Sequence, residues 1–171
     1  MDVKVETQTA GEQKMNIEVT INGEQYVLQV HPSERMIDIL RVQLSLTGSK
    51  ESCSIGRCGA CSVLLDGEIV NACLLMAYQV NGKTITTIEG IGGKNIDEVQ
   101  QAFLQEGGFQ CGYCTSGMIV AVKTLLANND NPTESDIKEA LSGNICRCTG
   151  YGGIIRAVQS LVNKKAVANS R

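Results

Sequence analysis

The spacing of its eight cysteines is what most constrains how this 171-residue chain can fold. The cysteines form two groups of four, and patterned groups of this kind predict metal sites around which a chain must close. The first group has the spacing C-x4-C-x2-C, then eleven residues and a fourth cysteine: Cys53, Cys58, Cys61 and Cys73. The second group has a C-x2-C pair, then 31 residues and a C-x-C pair: Cys111, Cys114, Cys146 and Cys148.

The spacing of the first group is that of plant-type [2Fe–2S] ferredoxins. Three cysteines on one short loop can wrap one side of a flat cluster, and a distant fourth cysteine closes the site. Gly56 and Gly59 lie between the loop cysteines. Glycine lets the backbone curl sharply, so that its N–H groups can turn toward the cluster sulfides. This loop is therefore predicted to hold a [2Fe–2S] cluster.

The second group consists of two pairs in similar surroundings. The stretches FQCGYCTSGMIV and NICRCTGYGGII share a cysteine pair, a threonine, a glycine-containing turn and an apolar run. We expect each pair to lie just before a helix N-terminus, where free N–H groups favour anionic thiolates. The two pairs can then converge on one four-thiolate site. Arg147, between two of these cysteines, either adds positive charge to the site or points to solvent.

Two other uses of eight cysteines fit the chain less well. Structural zinc sites have C-x2–4-C pairs, from which both the C-x-C pair and the first group depart. Disulfides require an oxidising compartment, and the start of the chain has no apolar signal region. We therefore expect a cytoplasmic protein. A net charge of −3 without a long basic run argues against nucleic-acid binding, and no apolar run predicts a membrane span.

The first half of the chain is predicted to be rich in β-strands. Apolar residues alternate on both sides of the Asn-Gly pair at 22–23 and flank the Asp-Gly pair at 66–67, which predicts two hairpins. A last strand is expected over residues 84–88. Between the hairpins, we expect Ser33 to cap a helix that ends at Gly48.

The second half is predicted to form a bundle of four helices. Capping patterns at Asn95 and Thr133 predict the starts of the first and third helices. The glycine-rich stretch 89–95 is a candidate hinge. The expected organisation is a flexible extension, a ferredoxin-like domain and a helical [2Fe–2S] domain at residues 1–14, 15–90 and 91–171.

The motifs CSIGRCGACSV, QCGYCTSGM and GNICRCTGY make residues 15–163 resemble a known family. They are similar to those of the small iron–sulfur subunit of the molybdenum hydroxylases, the xanthine dehydrogenase and aldehyde oxidoreductase family. The resemblance implies an α+β fold, in which a β-grasp, plant-ferredoxin-like domain precedes an all-α four-helix bundle with near two-fold symmetry. It also implies one [2Fe–2S] cluster in each domain.

The resemblance further implies an electron-transfer subunit of an oxidoreductase complex, without catalysis by this chain alone. Electrons would pass one at a time from a molybdenum–pterin site through the two clusters to FAD, and then to NAD or another acceptor. The implied partners are a large molybdopterin-binding subunit and a medium FAD-binding subunit, in a dimer of heterotrimers. Gln110 would hydrogen-bond the pterin, and Cys148 would be the ligand nearest the pterin amino group.

The substrate expected from general similarity is xanthine or another purine, which would place the complex in purine metabolism. The alternative substrates are an aldehyde, an N-heteroaromatic acid and carbon monoxide. The alternative functions are a free-standing two-cluster ferredoxin and a zinc-stabilised interaction module. Two residues depart from the family pattern, because Ser54 and Ser116 stand where relatives often have Gly and Pro. The polar extension before Met15 also lies outside that pattern.

Overall fold

The computed structural model describes residues 13–93 and 95–169. The extension predicted over residues 1–14 lies almost entirely outside the described residues, as does Lys94 of the predicted hinge. No helix within the described part of the chain is long and apolar enough to cross a membrane.

Five strands form one mixed sheet in the first half of the described chain. Their order across the sheet is β2-β1-β5-β3-β4, with β1 and β5 parallel and the other neighbours antiparallel. The strands are β1 Met15–Ile21, β2 Glu24–Val30, β3 Ser62–Leu65, β4 Glu68–Asn71 and β5 Lys83–Thr86.

The two predicted hairpins are confirmed, because β1 pairs with β2 and β3 pairs with β4. Both connections are two-residue turns in which both residues have positive φ: 52° and 86° at 22–23, and 50° and 91° at 66–67. Asn-Gly and Asp-Gly adopt this geometry readily, and it matches the twist of the flanking strands. The last strand ends at Thr86, and a 3-10 turn over Ile88–Gly90 follows it.

The first helix differs from its prediction at both ends. Helix α1 covers Met36–Asp38 and continues as a π-helical turn over Ile39–Gln43. Ser33 does not cap it, because its hydroxyl lies 2.8 Å from Nδ1 of the exposed His31. The helix also stops well before Gly48, since Ser45 already has a φ of 57°.

Tertiary hydrogen bonds explain why α1 needs no side-chain cap. The N–H of Met36 donates to the carbonyl of Leu75 at 2.7 Å, and that of Ile37 donates to the carbonyl of Ala72 at 3.1 Å. These acceptors satisfy N–H groups that a capping side chain would otherwise serve. They come from a segment that is distant in sequence, so a local capping rule could not find them.

Four further helices form the second half of the described chain. Helix α2 packs on α3 and α5, and α4 packs on the same two helices. Helix α3 also contacts β3 and β4, and so joins the helices to the sheet. The four-helix bundle with near two-fold symmetry stays a prediction. The helices are α2 Glu98–Gln105, α3 Thr115–Asn128, α4 Glu134–Ala140 and α5 Gly152–Asn169.

Of the two helix caps predicted in the second half of the chain, one is confirmed. Thr133 caps α4, and its N–H donates to Asp136 Oδ2 at 2.7 Å. Asn95 does not cap α2, because Asp97 occupies the cap and accepts from the N–H of Val99 at 2.9 Å. Asp97 also binds Lys123 of α3 at 2.8 Å, an interhelical ion pair that favours this residue as the cap.

The described part of the chain has two hydrophobic cores. One core lies under the sheet and includes Ile17, Ile37 and Ile85. The other lies among α2–α5 and includes Phe103 and Met118. The described chain is therefore a mixed α/β protein, with a five-stranded sheet and five α-helices.

Candidate metal centres

The first four cysteines come together around the loop between α1 and β3. The thiols of Cys53 and Cys58 are neighbours, and those of Cys61 and Cys73 are neighbours. Cys58 also lies close enough to Cys61 to act on its charge. Cys61 and Cys73 are buried, whereas the other two cysteines are partly exposed. The predicted first quartet is thus gathered in space as two adjacent pairs.

The backbone of this loop depends on residues that tolerate positive φ. Gly56 and Gly59 have φ angles of 73° and 67°. A Cβ atom at Gly56 would lie 2.2 Å from Leu74 Cδ1. Ser54 also has a positive φ of 55°. Its hydroxyl donates to Glu51 Oε1 at 2.8 Å, a local bond that offsets part of the cost of that conformation.

The pKa values of Cys53 and Cys61, one from each pair of this quartet, shift in opposite directions. Backbone N–H groups, that of Ile55 first, lower the pKa of Cys53 to about 6. The N–H of Arg57, one of these donors, lies 3.3 Å from Cys53 Sγ. Burial raises the pKa of Cys61 to about 12. A thiolate at Cys61 therefore requires a bound cationic centre, whereas Cys53 is already biased toward the thiolate.

The other four cysteines come together from two loops of the helical half. Cys111 and Cys114 precede α3, with Cys114 at its N-cap position, while Cys146 and Cys148 precede α5. The thiol of Cys114 is the neighbour of Cys146, and the thiol of Cys148 is the neighbour of Cys111. Each pair therefore takes one cysteine from each loop. Cys111 and Cys148 are exposed, and the other two are partly buried.

Sequence reasoning missed the residues that hold the loop at 144–151 in place. The hydroxyl of Tyr151 accepts from the N–H of Cys146 at 3.0 Å and donates to the carbonyl of Asn144 at 3.1 Å. The hydroxyl of Thr149 lies 3.1 Å from Cys146 Sγ. Their position in the repeated stretch NICRCTGYGGII was a usable signal, since polar side chains there flank a cysteine pair on both sides.

The arrangement of thiols suits a two-iron cluster better than a single ion. All eight thiols are free. Among residues 13–93 and 95–169, no group of three or more His, Cys, Asp or Glu side chains is placed to hold a single metal ion. A zinc site needs four sulfurs at about 2.3 Å from one centre. A [2Fe–2S] cluster instead offers two irons, each of which takes one pair of thiolates, so these paired donors fit it.

The two quartets meet at a junction made of backbone groups and the side chain of Asn144. The carbonyl of Cys58 accepts a hydrogen bond from the N–H of Ile145 at 2.9 Å. The carbonyl of Gly59 accepts from the side chain of Asn144 at 3.1 Å, and Asn144 is 4% exposed. Next to this contact, a Cβ atom at Gly117 would lie only 2.0 Å from the Gly59 oxygen. At position 117, helix α3 therefore lies too close to the loop of the first quartet for any side chain to fit.

The remaining predicted site residues lie on the solvent side of the second quartet. Gln110 is exposed and directly precedes Cys111. Arg147 is exposed and lines a cleft together with Cys148, Tyr113 and Ser52. Tyr113 also connects the helical half to the loop of the first quartet, because its hydroxyl donates to the carbonyl of Glu51. The pterin roles expected for Gln110 and Cys148 stay predictions.

Comparison with known families finds two matches in tandem. Residues 19–85 match the family described as "2Fe-2S iron-sulfur cluster binding domain". Residues 87–159 match the family described as "[2Fe-2S] binding domain". Each matched segment contains one of the two cysteine quartets.

Individual proteins resemble this chain over most of its length. A probable xanthine dehydrogenase subunit of Bacillus subtilis is 54% identical over 144 residues, which are 84% of this chain and 83% of that protein. The nicotinate dehydrogenase small FeS subunit of Eubacterium barkeri is 44% identical, over 90% of this chain and 98% of that protein. A chain of quinoline 2-oxidoreductase from Pseudomonas putida 86 superposes with a TM-score of 0.86 at 39% identity, over 92% of this chain and 98% of that chain.

Proposed function

The chain belongs to the small [2Fe–2S] subunits of the molybdenum hydroxylases, and we propose that it relays electrons one at a time from a molybdenum–pterin site to FAD. It is an iron–sulfur subunit of an oxidoreductase complex and carries two [2Fe–2S] clusters. Each cluster, when bound, accepts and returns a single electron. The protein's contribution is to hold the two sites in place and connect them.

The proposed cluster ligands are the two cysteine quartets. The first is Cys53, Cys58, Cys61 and Cys73, and the second is Cys111, Cys114, Cys146 and Cys148. The pairing of their thiols supports this proposal. We place the sites in two domains, at residues 15–90 and 91–171, and the second of these is the proposed four-helix bundle. The two separate hydrophobic cores support that division.

The observation that carries the proposal is the hydrogen bond between Cys58 and Ile145. Cys58 is a proposed ligand of one cluster, and Ile145 directly precedes Cys146, a proposed ligand of the other. Only backbone atoms and one hydrogen bond of 2.9 Å separate the two ligands. Such a short connection between two redox sites is what a relay requires, and a structural role for eight cysteines would not need it.

The proposed direction of flow starts at the helical quartet. Cys111 and Cys148 are the exposed members of their quartet, and Gln110 beside them offers an amide to a polar ligand. We propose that a large molybdopterin-binding subunit covers this edge, with Gln110 hydrogen-bonded to the pterin and Cys148 as the nearest ligand.

We propose that electrons leave this chain from the ferredoxin-like domain. Ile55 and Leu74 flank the first quartet and are 68% and 53% exposed. Apolar side chains so exposed beside a redox loop support burial against another protein. We propose that a medium FAD-binding subunit docks here, that the complex is a dimer of such heterotrimers, and that it is cytoplasmic. The eight free thiols support a reducing compartment.

Xanthine or a related purine is the proposed substrate of the complex. Support comes from the similar Bacillus subtilis protein, which is named a probable xanthine dehydrogenase subunit. Other similar proteins are named for nicotinate and quinoline. The large subunit's pocket, and not this chain, would distinguish among these substrates. An aldehyde or N-heteroaromatic compound is therefore the alternative outcome when the co-purifying large subunit is assayed.

Analysis of the native complex tests the proposal directly. We expect about four iron and four acid-labile sulfide per copy of this chain, because two [2Fe–2S] clusters contain two of each. Size-exclusion chromatography should show this chain in a complex with two larger subunits that carry molybdopterin and FAD. Zinc without acid-labile sulfide would overturn the cluster assignment. A cluster-loaded monomer of this chain alone would instead indicate a free-standing ferredoxin.

A further inference from the structure

A chain of hydrogen bonds ends on the sulfur of Cys146. The hydroxyl of Thr149 lies 3.1 Å from Cys146 Sγ, and the N–H of Thr149 lies 3.4 Å from the same sulfur. The N–H of Tyr151 in turn donates to the Thr149 hydroxyl oxygen at 3.2 Å. Thr149 thus stands between a backbone donor and a proposed cluster ligand.

This network determines where the Thr149 hydroxyl proton points. A hydroxyl group has one proton and two lone pairs. Because the Tyr151 N–H occupies a lone pair, the proton remains available for the sulfur, and a donor that is itself accepting a hydrogen bond is strengthened. The turn is held by further hydrogen bonds, since Tyr151, with a φ of 64°, bridges Cys146 and Asn144 through its own hydroxyl.

The corresponding threonine of the other cysteine pair is placed differently. Thr115 follows Cys114 as Thr149 follows Cys148. Its hydroxyl is buried, and it has no hydrogen-bond partner within the described part of the chain. The contact at Thr149 is therefore not a general consequence of a threonine after a cysteine. It depends on the turn that Tyr151 holds.

We propose that Thr149 is a positioning residue that raises the reduction potential of the helical [2Fe–2S] cluster. This inference rests on the proposed function, in which Cys146 is a ligand of that cluster. One electron is gained at the site and no bond is made or broken, so reduction adds one negative charge. A hydroxyl hydrogen bond to a ligand sulfur stabilises the more negative state more strongly than the oxidised state. Hydrogen bonds to the sulfurs are among the factors that set such potentials.

The test is a redox titration of the purified complex, followed by electron paramagnetic resonance, with dithionite as the electron donor. Thr149→Val keeps the branched shape and removes the hydroxyl. We expect the reduction equilibrium constant of the helical cluster to fall by about threefold to tenfold, where tenfold corresponds to 59 mV for a one-electron couple. The ferredoxin-like cluster should be unchanged, and Thr149→Ser should keep the wild-type value.

Thr124→Val is the matched control. Thr124 lies in α3 of the same lobe, and its hydroxyl donates to the carbonyl of Val120 at 3.1 Å. Thr124→Val removes a hydroxyl in the same way but should leave the reduction potentials of both clusters unchanged.

Three results would overturn the inference. The first is an unchanged helical-cluster potential in Thr149→Val. The second is an equal shift of both clusters. The third is loss of the helical cluster from this variant, which would make Thr149 a residue required for assembly. If the wild-type complex did not show two iron–sulfur signals, the proposed function itself would be wrong. Failure of the inference and failure of the proposed function are therefore distinguishable.

Discussion

The complex that carries Cys148→Ser is expected to lose the signal of the helical cluster in electron paramagnetic resonance. The thiol of Cys148 forms a pair with that of Cys111 across the two loops, so the substitution deprives one iron of one of its two sulfurs. Serine offers a harder oxygen ligand, to which soft iron–sulfur centres are less suited. Substrate-dependent reduction of FAD should fall by about 100-fold or more, since even loss of a partner to a metal ligand costs about 10–100-fold.

Cys53→Ser is the reciprocal variant. Cys53 forms a pair with Cys58 in the first quartet, so this change should remove the ferredoxin-like signal and spare the helical one. Substrate should still reduce the helical cluster of Cys53→Ser, whereas FAD should stay oxidised. If either variant lost both signals equally, the assignment of two independent quartets would be wrong.

The complex that carries Gly117→Ala is expected to be less stable and slower in electron transfer between clusters. A Cβ atom at this position would lie 2.0 Å from the carbonyl oxygen of Gly59. Alanine favours a helix over glycine by only about 1 kcal/mol. The clash is with backbone, so α3 has to move away from the loop, and overpacking costs about 1–3 kcal/mol or more. The clash therefore outweighs the gain in helix propensity.

Two measurements check this expectation. A clash with backbone places the cost at the upper value, about 3 kcal/mol, so the net loss after the gain in helix propensity is about 2 kcal/mol. This loss would lower the unfolding temperature by roughly 4–8 °C for a chain of this size. Displacement of α3 should also strain the neighbouring hydrogen bond between Cys58 and Ile145, so the magnetic interaction between the two reduced clusters should weaken.

Gly143→Ala is the control for this variant. Gly143 adjoins Asn144 at the same junction, and an added Cβ atom would meet nothing within 4 Å. We expect little change in stability or in cluster coupling for this control. If Gly117→Ala behaved in the same way, the junction between the lobes would not depend on close backbone approach.

The predictions that held rest on chemistry within a few residues. The hairpins at 22–23 and 66–67 followed from the ease with which Asn-Gly and Asp-Gly take positive φ. The cap at Thr133 followed from a reciprocal bond to Asp136, three residues away. In each case the interacting residues are close in sequence, so the local sequence pattern is enough to predict the structure.

The predictions that failed were decided by distant groups. Ser33 was a reasonable cap for α1, but carbonyls of the segment after β4 satisfy the first N–H groups of that helix. Asn95 was a reasonable cap for α2, but Asp97 can also pair with Lys123 on α3. Local rules cannot choose between two such candidate caps, and tertiary contacts made only in the folded chain decide which one is used.

The same division applies to the cysteines. Their spacing alone predicts two quartets, because a C-x4-C-x2-C loop can curl around only one centre. It did not determine that each pair of the helical quartet takes one thiol from each loop, nor that Cys58 and Ile145 connect the two sites. Those contacts join segments that are far apart in sequence. At the junction, Gly59 and Gly117 lack the Cβ atoms that would collide there, so α3 can lie against the loop of the first quartet. That close packing joins segments distant in sequence, and so no local sequence pattern predicts it.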